Sequence, residues 1–127
     1  MQPTRVGFFR ELRHGDPQGP SLRETQGALS AEKCEAAAHY LEVAPTLAAT
    51  PGYVGDVLDP SNTMIGSPDL KTDGDWMWPA DLAYYVRRYQ VALPESFLLH
   101  MQSMNWDPPA LSRRRLHELT EAVLGAS

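Results

Sequence analysis

Apolar side chains recur along this chain with two periods, and the change from one to the other marks out its elements. From Arg5 to Leu12 the run is rich in Val and Phe, and Asp16-Pro17-Gln18-Gly19-Pro20 closes it with turn chemistry, which predicts a first β-strand. Two-residue alternation would put Val6, Phe8, Arg10 and Leu12 on one face and Gly7, Phe9, Glu11 and Arg13 on the other. A Phe on each face predicts a central strand. Ser21 to Glu24 has capping-box spacing, but Gly27 limits it to a helical turn.

After Ser30 the period lengthens. Cys34, Ala37, Ala38 and Leu41 recur at helical spacing with Glu32, Glu35, His39 and Glu42 opposite, so a helix lays a thin, small-residue stripe on the sheet. Val43 to Thr50, interrupted by Pro45, reads as a short strand, and Val54 to Leu58 as a weak strand or extended connection. Asp73-Gly74 between Leu70-Lys71-Thr72 and Asp75-Trp76-Met77-Trp78 predicts a hairpin whose two-residue turn takes positive φ at both positions. Pro79 should open a helix with Leu82, Tyr85, Val86 and Tyr89 inward and Tyr84, Arg87 and Arg88 outward. Pro94 should open another, with Phe97, Met101 and Met104 aligned, ending at Trp106-Asp107-Pro108-Pro109. A last helix is expected from Leu111 to Leu124 on Leu116, Leu119 and Val123. The order predicts an α+β fold: a small, mostly antiparallel sheet, one helix after the first strand, and two to three helices at the C-terminal end.

Length and charge narrow the class. With 127 residues the chain fits one domain, 1–127, with residues 107–127 as a candidate C-terminal helical extension. A formal charge of -5 opposes nucleic-acid binding, which needs a cationic footprint. The lone Cys34 excludes an internal disulfide and a thiolate metal cage, and fits a reducing compartment. The N-terminal residues lack a signal-peptide stretch, and no window approaches the roughly 20 apolar residues that span a bilayer. A cytoplasmic protein without a membrane partner is the expectation.

No motif assigns a catalytic residue, a metal or a cofactor. His14, His39, His100 and His117 are scattered without ligand spacing, and Gly52-Tyr53-Val54-Gly55 lacks the lysine of a phosphate loop. The best local candidate is Arg10 to Asp16. An Arg10 sharing a face with Phe8 and Leu12 must find an anion, and with Arg13 and His14 it could form an anion-binding site in which His14 moves a proton. A structural carboxylate on Arg10 would satisfy the same pattern. Charge is also segregated: Asp56, Asp59, Asp69, Asp73, Asp75 and Asp81 fall between Val54 and Asp81 against the single cation Lys71. They could form an acidic surface that steers a basic protein partner, or serve as turn and cap residues. Trp76 and Trp78, two apart on one strand, are either core filling or, with Trp106, a binding platform.

The run Thr72-Asp73-Gly74-Asp75-Trp76-Met77-Trp78-Pro79-Ala80-Asp81-Leu82-Ala83-Tyr84-Tyr85-Val86, followed by Leu93-Pro94-Glu95-Ser96-Phe97, resembles a module of small, stand-alone bacterial proteins of unassigned function. Some of these are similar to immunity proteins of bacterial toxin systems. Val6 to Gly15 and Pro20-Ser21-Leu22 resemble the start of the same proteins. The resemblance carries no catalytic residues and implies a cytoplasmic protein that blocks a toxin enzyme. Two functions follow as expectations. The first is a non-catalytic protein-binding domain, an immunity-type inhibitor of a basic enzyme; the second is a small enzyme or ligand-binding domain holding an anionic substrate through Arg10, Arg13 and His14.

Overall fold

In the computed structural model, which describes residues 2–124, the chain opens on a strand of two residues, β1 (Thr4–Arg5). The outer limits of the expected domain, residue 1 and residues 125–127, lie outside the described residues. The strand expected to reach Leu12 fails at Gly7, whose φ of 80° lies outside the β region and turns the chain off the sheet. Consecutive turns follow: Leu12 N–H donates to the Phe9 carbonyl at 3.1 Å and Gly15 N–H to that of Leu12 at 3.0 Å. Val6, Phe9 and Leu12 are therefore the buried positions, three apart rather than two. Arg10 is exposed instead of sharing an apolar face with Phe8 and Leu12.

The helix expected after Ser30 is α1 (Ala31–Val43), capped by the Ser30 side chain, which accepts from Lys33 N–H at 3.3 Å. Its buried face is Cys34, Ala37, Ala38 and Leu41, with Tyr40 beside them. Then come β2 (Thr46–Ala48), β3 (Leu70–Thr72) and β4 (Trp76–Pro79), which complete a sheet of order β1-β4-β3-β2. The sheet is mixed, because β1 runs parallel to β4 while the other two pairs are antiparallel. The expected strand from Val54 to Leu58 is reduced to one bridge, Val54 with Gly66.

The β3–β4 hairpin closes on Thr72 and Met77, so four residues turn instead of two, and within that turn positive φ falls on Gly74 alone. Asp73 makes the longer turn stable. Its Oδ1 accepts from the N–H groups of Asp75 (3.0 Å) and Trp76 (2.8 Å), a side chain standing in for backbone acceptors. Pro79 ends β4 rather than opening a helix, and α2 (Leu82–Tyr89) starts behind Asp81 as N-cap. The last two helices are α3 (Glu95–Ser103) and α4 (Arg113–Val123).

Alternation along β4 divides the core. Trp78 belongs to the cluster shared with α1, α2 and α3, while Met77 joins Leu47 of β2 and Leu119 of α4 in a second cluster. Trp78 is fully buried, and the half-buried Trp76 stacks on Phe97 of α3 with centroids 4.6 Å apart. With Trp106 also half-buried, the tryptophans fill the core and do not form an open platform. On the outer side, Arg87 of α2 reaches Glu35 (3.0 Å) and Glu42 (2.7 Å) of α1, which sets these helices side by side. No helix among the described residues is long and apolar enough to cross a membrane.

Candidate functional site

The turns after Gly7 build a platform for His14. A Cβ on Gly15 would sit 1.9 Å from the Phe9 carbonyl oxygen, so only glycine allows the chain to close this tightly directly after His14. Glu11 ties the platform to the next segment. Its carboxylate accepts from Ser21 Oγ (2.7 Å), Leu22 N–H (2.7 Å) and Arg23 N–H (3.2 Å). Burial raises the Glu11 pKa, but these donors outweigh it and hold the carboxyl at about 2, down from 4.5. A depressed carboxylate stabilises the fold above its unfolded pKa, and that stability is lost as the pH falls through the folded value. Glu11→Gln is therefore expected to be less stable than the parent at neutral pH, with the difference shrinking between pH 4.5 and about 2 in urea titrations. A difference that stays constant across that window would rule out this role for Glu11.

His14 faces the start of α2. Its Nε2 lies 3.0 Å from Oδ2 and 3.2 Å from Oδ1 of Asp81. The Asp81 side chain is wholly buried, whereas the imidazole is 22% exposed, so the pair runs from the interior to the surface. An aspartate at an N-cap ordinarily accepts from N–H groups of the first turn. Asp81 makes no such bond, and among the described residues His14 is the partner of its carboxylate. A buried carboxylate needs a proton-bearing partner close by. His14 Nε2 takes that place, which fixes the ring and leaves Nδ1 without a hydrogen-bond partner among the described residues.

Residues 11–14 form one wall of a cleft of about 460 Å³ and residues 53–57 the other. That volume is in the range of small-molecule sites. The second wall is held from beneath by Asp56, which is buried and accepts from Tyr84 O–H (2.7 Å), Tyr89 O–H (2.5 Å) and Leu58 N–H (2.8 Å). Val57 N–H donates to Tyr85 Oη at 3.0 Å, and that hydroxyl donates to the Gly55 carbonyl at 3.2 Å. The bond to Asp56, then burial, pushes the Tyr89 hydroxyl up to about 12; burial, then Asp56, raises that of Tyr84. Both phenols therefore stay protonated and keep donating to the carboxylate.

The polar groups of the cleft are consequently unequal. The carboxylates of Glu11 and Asp56 are occupied by the donors just named. Arg13, exposed on the wall, has neither ion pair nor side-chain hydrogen bond among the described residues. With His14 Nδ1 and the Tyr53 hydroxyl, also without a hydrogen-bond partner among the described residues, it makes up the polar side-chain surface that a ligand would meet. Of the three residues expected to hold an anion, Arg13 and His14 meet at the cleft. Arg10 is set aside, 3.8 Å from Glu24 at the surface, because the turn at Gly7 breaks the alternation that would have aligned it.

The acidic surface is corrected more deeply. Asp56, Asp73 and Asp81 are 4%, 2% and 2% exposed and cannot meet a partner. Each is drawn inward by donors from other elements: Tyr84 and Tyr89 for Asp56, His14 for Asp81, and for Asp73 the Tyr40 hydroxyl at 2.5 Å, with His100 Nε2 3.1 Å away. Asp59 and Asp69 are half-buried, and their carboxylates accept from the N–H groups of Ser61 and Thr50. Asp75 remains exposed. Tyr53 escaped the sequence reading as a site residue, and Asp56 and Asp81, expected on an acidic surface, are instead buried beneath the cleft. An aspartate two residues after a proline and before a helical stripe looks like an ordinary N-cap, and nothing local points to a histidine 67 positions away.

Elsewhere, His39 and His117 are exposed, and Cys34 is buried, which raises its thiol pKa. Among the described residues no group of three or more His, Cys, Asp or Glu side chains is placed to hold a metal ion. The chain matches no protein-family model, no curated protein and no solved structure.

Proposed function

We propose that the protein binds a small anionic ligand in the cleft between residues 11–14 and 53–57, with Arg13 as counter-charge and His14 as the group that donates or accepts a proton. The observation that carries this reading is Asp81, a wholly buried carboxylate at a helix N-cap that leaves the helix uncapped and engages the imidazole of His14. A carboxylate behind an imidazole fixes the ring, the arrangement of a proton-transferring histidine. With the carboxylates of Glu11 and Asp56 already bonded, the side-chain polar groups left open are a guanidinium, an imidazole and the Tyr53 hydroxyl, and these favour a ligand that supplies acceptors.

An immunity-type inhibitor with an acidic docking face would rest on Asp59, Asp69 and Asp75, of which the first two already bind local backbone. The cleft is the better supported site.

Thermal unfolding with inorganic phosphate or acetate tests the proposal. Ligand binding to the folded state alone stabilises by RT ln(1 + [L]/Kd), about 1.4 kcal/mol at a tenfold excess over Kd. The parent should melt higher in at least one of these anions. Arg13→Gln and His14→Gln should lose the shift, and Arg10→Gln should keep it. A parent and an Arg13→Gln variant that respond alike would remove the cleft as the binding site.

A further inference from the structure

Resting on the anion-binding reading, we infer that the ligand is an aromatic or heteroaromatic anion, its charged group on Arg13 and His14 and its ring against Tyr53. Three observations lead there. The first is size. A cleft of about 460 Å³ would hold roughly fifteen waters at about 30 Å³ each, far more room than a bare carboxylate or phosphate fills. The second is the lining: Val54 and Val57 stand among the polar groups, so part of the cleft surface is apolar. The third is Tyr53 itself. It is 72% exposed at the cleft, whereas Tyr84, Tyr85 and Tyr89 behind the same wall all have their hydroxyls bonded into the structure. An exposed phenol ring beside a charged site offers its π-face to a flat ligand.

The wall that carries Tyr53 is also held in place. Val54 is bridged to Gly66, Asp56 gathers three donors, and Val57 is bonded to Tyr85. The backbone that carries the ring is thus held in place, and a preorganised backbone strengthens binding without adding contacts.

Paired probes that differ in the ring alone test the inference: acetate against benzoate, and inorganic phosphate against phenyl phosphate, titrated calorimetrically into the parent, Tyr53→Ala, Tyr53→Phe and Arg13→Gln. At least one aryl anion should bind about tenfold more tightly than its partner. Tyr53→Ala should reduce that preference to near unity, Tyr53→Phe should keep it, and Arg13→Gln should weaken every anion that binds. Because Tyr53 is exposed, neither Tyr variant is expected to disturb folding. If bare and aryl anions bind the parent equally, or if Tyr53→Ala leaves the preference intact, the ring inference is wrong while the anion site stands. If none of the four probes binds at about millimolar concentration, the anion site fails and the inference with it.

Discussion

Replacing Trp78 by Ala is expected to lower the unfolding free energy by about 3–5 kcal/mol, a large share of the roughly 5–15 kcal/mol that holds a domain of this kind together. Trp78 is fully buried, and its ring meets Tyr40 and Phe97 with centroids at 6.2 and 5.5 Å. Its indole N–H donates to the Leu41 carbonyl at 3.2 Å, so one side chain joins the sheet to α1 by packing and by a hydrogen bond. Truncation would leave a cavity between two helices that their other contacts hold apart, and would strand that carbonyl. Trp76→Ala should cost less, because Trp76 is half-exposed and its stacking partner Phe97 keeps Trp78 and Tyr40. Urea titrations read both: the midpoint for Trp78→Ala should fall well below that for Trp76→Ala, with the slope m unchanged. Equal midpoints would show that the core is not organised around Trp78.

How much of this was legible in the sequence depends on the range of the interactions involved. All four helices announce themselves, because a buried stripe repeats every three to four residues whatever it packs on, and α1 keeps Cys34, Ala37, Ala38 and Leu41 inward as the spacing requires. The hairpin is legible from Asp73-Gly74, although its turn is longer than the dipeptide implies. The first strand is misread for a local reason. Val6, Phe8 and Phe9 have strand propensity, but Gly7 adopts a positive φ that propensity does not record, and the chain leaves the sheet there for turns and bends between Arg10 and Gly19. The aspartates are misread for a non-local one. Asp at a turn or a cap has the same neighbours in sequence whether its carboxylate faces water or a tyrosine from another element. Asp56, Asp73 and Asp81 are separated from their partners by up to 67 residues, and no window of the chain holds both halves of such a bond.

Asp73 shows what that difference means for stability. As a surface residue at a hairpin tip it could be changed with an effect within about ±0.5 kcal/mol. In the fold it is buried between two helices. One oxygen receives the N–H groups of Asp75 and Trp76, and the other lies 2.5 Å from the Tyr40 hydroxyl of α1 and 3.1 Å from His100 Nε2 of α3. Burial, then the bond to Asp73, raises the pKa of the Tyr40 phenol, so the hydroxyl remains a donor at every pH where the protein is folded. The exposed Asp75 lies 3.8 Å from the same nitrogen. One carboxylate thus shapes the hairpin turn and locks α1 and α3 to it. Asp73→Ala removes the acceptor of three hydrogen bonds at once and is expected to destabilise by about 3–5 kcal/mol, because each buried donor left without a partner costs about 1–3 kcal/mol. Asp73→Asn, which retains the turn-forming oxygen but loses the charge, should fall between parent and Ala. Tyr40→Phe leaves the carboxylate with fewer donors and should cost about 1–3 kcal/mol. The combination Tyr40→Phe with Asp73→Ala should cost less than the sum of the two, because the phenol and the carboxylate serve each other. Denaturant unfolding of the four variants measures this coupling, and strict additivity, or an Asp73→Ala variant as stable as the parent, would return Asp73 to the surface role that its position in the chain suggests.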